Sequence, residues 1–205
     1  MKSLHIFIFL LINLMYHSTI SQEKYFQQKV DTYIDVELDD KNHFLYGFEK
    51  IVYTNNSNQN LDSILIHSWP NAYQNIDTEL GKQKIEDGQL YIKYAPNYTR
   101  GYIDSLEFKV NSKPVKWKLS DKHIDIAILS LNNSLKKGDS IEITTPFRVK
   151  IPSGRFSRLG HIGQSYQITQ WFPKPAVYDA DGWHPLPYLN QGEFYSEFGK
   201  YDVSI

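Results

Sequence analysis

The chain has 205 residues, 22 basic against 23 acidic, 41% apolar and 15% aromatic, with no cysteine. That is enough apolar matter to bury a core, which excludes a disordered chain, and the near-neutral balance gives no electrostatic footing for nucleic acid or an anionic membrane surface. Without cysteine, disulfide staples, thiolate metal sites and cysteine nucleophiles are excluded as well.

Lys2 precedes an apolar run over residues 4–16, followed by the small residues Thr19 and Ser21. A positive start, an apolar centre and a small-residue end predict a signal peptide over residues 1–21. The run is short for a membrane span. The domain expected after it, residues 22–205, carries no such run and is expected to be secreted or periplasmic.

Period-two alternation predicts a strand from Val30, with Val30, Ile34, Val36 and Leu38 on one face and Asp31, Asp35 and Glu37 on the other. Residues 43–55 predict a second strand, in which Gly47 signals a bulge or a close approach. Residues 61–69 predict a third, stopped by Pro70. Ala72, Ile76 and Leu80 recur four apart and predict a short helix over 71–84, ended by Gly81. QLYIKYA reads as a strand, and SLEFKV with PVKWKL as a hairpin joined by NSK. HIDIAILSL predicts a strand with Ile124, Ile126 and Ile128 on its apolar face. Residues 134–152 predict another, with Ile141, Ile143, Thr145, Phe147, Val149 and Ile151 facing the core. Residues 153–165 read as a flexible loop, YQITQWF as a strand, and YDVSI as a last strand. That strand stops with Ile205, so the chain reads as a truncated piece of a longer protein. Many short strands with close polar turns give an all-β, mostly antiparallel, sandwich-like class with at most one short helix.

The segment from Tyr166 to Tyr195 holds the most specific residues. It has two of the four Trp and the prolines Pro173, Pro175, Pro185 and Pro187. Proline removes a donor and fixes φ, so this is neither a regular helix nor a central strand. Its aromatic content predicts an ordered loop, with Trp183, Pro173 and Pro185 as its structural supports. Aromatic clusters at Trp69, Trp171 and Trp183 also suit a surface that binds carbohydrate, although wedging onto the sheet is their commoner use. His184 with Asp179, Asp181 and Glu193 could make a carboxylate–imidazole metal site, or serve only to lock the loop. Asp179 and Glu193 could pose as an acid/base pair. Glycine-rich phosphate loops, His-Glu-x-x-His and Gly-x-Ser-x-Gly are all absent from the sequence.

The blocks HSWPNAY at 67–73, LKKGDSIEI at 135–143 and the unbroken run from Gln167 to Ile205 resemble the N-terminal domain of secreted bacterial zinc metallopeptidases of the aminopeptidase N family, especially Bacteroidetes-type members. The resemblance implies a saddle-shaped β domain forming one wall of the substrate cleft, non-catalytic by itself. It implies zinc in the parent enzyme, a catalytic domain in the same polypeptide as partner, and a peptide as substrate. Thr169 and Gln170 match the family's Thr-Gln pair beside the cleft, and Trp171 takes the next place. Phe172 stands where most members carry a Glu or Gln that helps hold the substrate's free amine, a bond phenylalanine cannot accept. Either Gln170, Glu193 or a residue outside this sequence then takes that role, or the exopeptidase specificity is altered. The family's zinc motif lies further downstream and is not in this sequence. The alternative from another class is a free-standing periplasmic β domain that binds carbohydrate or peptide; a third is a hydrolase using carboxylates of the 166–195 loop.

Export should leave Gln22 as the first residue. Intact mass of the secreted protein checks this, and a membrane-bound chain that still begins at Met1 would sink it.

Overall fold

The computed structural model describes residues 25–192 and 194–205. The signal-peptide expectation and the side chain of Glu193 lie outside the described residues. Strands β1 (Lys29–Asp39) and β2 (Phe44–Thr54) form a long antiparallel hairpin, followed by β3 (Leu61–His67). Helix α1 (Glu79–Glu86) and the single turn α2 (Tyr91–Tyr94) come next, then the short strands β4 (Tyr102–Asp104), β5 (Lys109–Val110), β6 (Lys113–Pro114) and β7 (Lys116–Leu119). Strands β8 (Ile126–Leu135) and β9 (Ser140–Lys150) complete the scaffold. The last third holds β10 (Gly160–Ile162), β11 (Ser165–Gln167), β12 (Lys174–Pro175), β13 (Val177–Asp179), β14 (Gly182–His184) and β15 (Tyr201–Ser204).

Two sheets face each other. One runs β15-β1-β2-β9-β5-β6, with β4 also on β9; the other runs β12-β3-β8-β7. Among the strand pairs of the described residues, β15–β1 alone is parallel. Inward side chains of the first sheet, such as Ile51, Tyr53 and Ile143, meet Ile64, Ile66, Ala127 and Leu129 of the second. Each Ile or Leu buried in this way contributes about 1.5–3 kcal/mol. The fold is therefore all-β and sandwich-like, as the alternation predicts.

The β9 face is as expected: Ile141, Ile143, Thr145, Phe147, Val149 and Ile151 are all buried. Gly47 marks a close approach and not a bulge. Its register is continuous with Val36 and Phe147, and a Cβ there would stand 2.2 Å from Phe147 Cζ. Four readings need correction. The helix over 71–84 is instead a 3-10 turn at Trp69–Tyr73 and α1, because Thr78 Oγ1 caps a later start by accepting Gly81 N–H at 3.1 Å. Gly81 thus lies in the first turn and does not end the helix. QLYIKYA is no strand: of its would-be inner face only Ile92 is buried, while Leu90 and Tyr94 are exposed, so one apolar contact is met by the turn α2. In β8 the face turned to the core carries Ala127 and Leu129; Ile126 is buried on the other side, and Ile124 and Ile128 are half-buried. Residues 153–165 are an ordered hairpin rooted by the buried Phe156 and Leu159.

The expected hairpin over 105–119 is split between the sheets. Asn111 and Ser112 both have positive φ and make a two-residue turn, after which β7 leaves for β8.

Glu49 points inward from β2, paired with Ile34 and Thr145, and is 1% exposed. Neither carboxyl oxygen has a hydrogen-bond partner among the described residues. Burial pushes its pKa well above the usual carboxylate range. A folded pKa above the unfolded one means stability is complete below the unfolded value and is lost as pH rises through the folded value. Glu49→Gln removes that loss. Chemical denaturation between about pH 4 and pH 8 should show the variant gaining on the wild type as pH rises; parallel curves would place Glu49 in contact with water.

Candidate functional site

The 166–195 segment is laid over the ends of both sheets. Its first anchor is Tyr166, whose hydroxyl donates to the Asp40 carbonyl at 3.1 Å and accepts from His43 Nδ1 at 2.7 Å. The strand expected over 166–172 ends at Gln167. Ile168 and Trp171 then reach two different apolar clusters, and Gln170 adopts φ +53, which no extended strand can hold. Trp171 is half-buried, tilted on Phe147 and edge-on to Phe172; Phe172 packs in turn against Tyr201.

Pro173 and Pro175 are both buried. Pro175 lies in β12 at the sheet edge, the position where a missing N–H costs no ladder bond. Between them Lys174 points inward, only 9% exposed. Its Nζ donates to Gln170 Oε1 and to Ser196 Oγ, each at 2.8 Å, and stands 4.2 Å from the centre of the Trp69 ring. Burial lowers its pKa to about 8, so the ammonium form prevails at pH 7. His67 stacks on the same ring at 4.3 Å. Burial, and then the Lys174 charge, push its pKa down to about 3, leaving a neutral imidazole.

Pro185 and Pro187 lead the chain back across Trp69. Trp69 Nε1 donates to the Leu186 carbonyl at 3.0 Å, and Asp125 accepts the Tyr188 N–H at 2.7 Å. Gln83 Oε1 accepts the N–H groups of Asn190 and Gln191. Tyr188 is wholly buried against Trp69, Tyr73 and Phe194.

The β13–β14 hairpin settles His184. Its Nε2 donates to Asp179 Oδ1 at 2.7 Å, the Asp181 N–H donates to the same oxygen, and Tyr195 O–H donates to Oδ2 at 3.0 Å. Burial pushes the Asp179 carboxyl up, but these donors outweigh it and the net shift is downward. Asp179 is thus occupied as a loop clamp. Among the described residues no group of three or more His, Asp or Glu is arranged to hold a metal, and no zinc fit arises from them. None of the four Trp is exposed: Trp69 is buried, and Trp117, Trp171 and Trp183 are half-buried. The Trp surface that a carbohydrate reading would use is therefore not displayed.

Gln170, Trp171 and Phe172 do share one place, while Glu193 lies outside the described residues. Lys174, His67 and Ser196 were not singled out from the sequence. The usable signal was that two separate blocks, HSWPNAY and the run from Gln167, carried the same resemblance; the structure brings them together at Trp69 and Lys174.

No protein-family model matches the chain, and no curated protein does either. Among solved structures it has a distant likeness to M1 zinc metallopeptidases. A mutant of a two-domain M1 zinc metallopeptidase bound to L-arginine shares 12% identity over 62% of this chain and 21% of that one, with a TM-score of 0.35. The M1 zinc metallopeptidase from Deinococcus radiodurans gives 12%, 63%, 21% and 0.34. Its mutant bound to a Tyr-Ser-Ala substrate gives 12%, 62%, 21% and 0.35. The matched part spans about a fifth of the length of those structures. Likeness at this level decides neither fold nor function.

Trp183 is half-buried, edge-on to Tyr178 at 5.1 Å and packed beside Tyr53. Trp183→Ala should therefore cost about 2–3 kcal/mol, less than the 3–5 of a fully buried ring. Urea denaturation checks this, and an unchanged midpoint would mean that the ring holds nothing in place.

Proposed function

We propose that residues 22–205 form the non-catalytic N-terminal domain of a secreted, zinc-dependent, aminopeptidase-like metallopeptidase. The 166–195 segment is one wall of its peptide cleft. The observation that carries this reading is Gln170. A non-glycine residue in the left-handed region costs of order 1–3 kcal/mol and persists only where its surroundings hold it. Here Lys174 holds its side-chain oxygen while the residue stays half-exposed, a polar group fixed at the lip of an aromatic shelf made by Trp171 and Phe172. The forty-residue run around it, which resembles the family's cleft wall, supports the same reading. Zinc, the nucleophilic water and the general base would come from another domain of the same polypeptide. This chain positions the peptide and performs no bond cleavage. The Tyr-Ser-Ala peptide belongs to the Deinococcus structure and is carried here only as a substrate class.

The open reading frame past the codon for Ile205 gives the first test. A His-Glu-x-x-His motif there supports the reading, and an immediate stop codon removes it. In the enzyme so extended, Gln170→Ala should lower kcat/KM by about tenfold to hundredfold, the 1–3 kcal/mol of one lost, partly buried hydrogen bond, with the melting curve little changed.

A further inference from the structure

Gln170 can hold its present place with only one end of its amide facing outward. A lysine ammonium has three donors and no acceptor. The group 2.8 Å from Lys174 Nζ must therefore be the amide oxygen, whatever the two amide atoms look like in shape. Lys174 cannot turn away easily. It is 9% exposed, its second donor is used by Ser196, and its third side lies over the Trp69 ring. The outward end of Gln170 is then Nε2, which makes no hydrogen bond to the described residues.

We propose that Gln170 reads a main-chain carbonyl of the peptide through Nε2, and not a free amine. This deepens the cleft-wall reading and rests on it. An ammonium brought to the same oxygen would stand beside the Lys174 cation, and two like charges sharing one acceptor repel. Phe172 adds the second half of the argument, because it offers no acceptor beside the shelf. What this wall takes from the peptide is thus a main-chain carbonyl, with Lys174 as the positioning residue for Gln170; the free amine of an aminopeptidase substrate would be held elsewhere in the cleft.

A pH dependence follows. Lys174 loses its proton near pH 8, and the neutral amine can accept as well as donate, which frees the Gln170 amide to rotate. The titratable group facing Lys174 is His67 from β3, which is neutral across this range. Gln170, Ser196 and Trp69 complete its surroundings.

The test uses the 15N-labelled chain and reads the Gln170 side-chain amide signal. One probe is N-acetyl-alanyl-alanine N-methylamide, which has carbonyls and no free amine. The other is isobutylammonium, which has a charge and no acceptor. At pH 7 the blocked peptide should move the signal and the ammonium should not. Gln170→Glu keeps the bond to Lys174 but has no outward donor, so, read from the neighbouring Trp171 indole N–H signal, it should weaken the blocked peptide about threefold to tenfold, the worth of one hydrogen bond. Lys174→Met should let the amide turn and the ammonium bind. If that variant does not fold, raising the pH past 8 on the wild type asks the same question. A signal moved by the ammonium alone, with tighter ammonium binding in Gln170→Glu, overturns the inference and leaves the cleft wall standing. A signal moved by neither probe removes the cleft-wall reading, and the inference with it.

Discussion

Trp69 is the contact on which the rest of the structure depends. It stands two residues past the end of β3, at the start of the 3-10 turn in which Pro70 turns the chain away from the sheet. Its ring, 2% exposed, is met by His67, Tyr188, Phe194 and the Lys174 ammonium, and its N–H is met by the Leu186 carbonyl. Five partners from three stretches of chain thus converge on one side chain. An indole suits this position because it offers two large faces and a single donor at its edge. Phenylalanine would keep the stacking and orphan the carbonyl.

The segment that crosses Trp69 needs such a centre because it has little ladder of its own. Four prolines remove donors, and the strands within it are two or three residues long. Its backbone groups are met by side chains instead: Trp69, Asp125 and Gln83 take groups that a sheet would otherwise satisfy. Prolines narrow the unfolded ensemble, which lowers the entropy lost on ordering such a path. Buried rings supply the remainder. The sandwich beneath can then be ordinary, since its part is to hold His67, Trp69 and Asp125 in register.

What could be read in the sequence followed from periodicity. The face of β9 from Ile141 to Ile151 was legible because six alternating residues are all buried, Ile141 and Ile143 in one apolar cluster and Phe147, Val149 and Ile151 in another. Gly47 was legible as a tight place because a glycine within alternation needs a reason. Short apolar runs were not legible. QLYIKYA alternates as a strand would, yet a single buried Ile92 cannot show whether a sheet edge awaits it. YQITQWF alternates as a strand would, but its ladder ends at Gln167 and Gln170 turns left-handed, while Ile168 and Trp171 pack on clusters drawn from distant parts of the chain. The site was half legible for the same cause. Gln170, Trp171 and Phe172 came from a resemblance, while the buried Lys174 and neutral His67 depend on desolvation, which is a property of the fold.

Burial sets Lys174 and Glu49 the same problem, and they answer it differently. Each charge would lose its hydration on entering the sandwich. Lys174 finds two oxygen acceptors and an aromatic face, so its pKa falls only to about 8 and it keeps its proton at neutral pH. Glu49 finds no partner among the described residues, and burial shifts its pKa well upward, toward the protonated form. The interior therefore carries the Lys174 cation on neutral acceptors, while the buried Asp125 carboxyl is turned to the Tyr188 N–H instead. That arrangement is costly if the only aim is stability, because an apolar residue would fill the same space without a desolvation penalty. What the cation adds is orientation. It fixes which end of the Gln170 amide faces out, in a segment whose backbone has no ladder to do so, and a side chain with a fixed donor end discriminates between ligands in a way that a freely turning amide cannot.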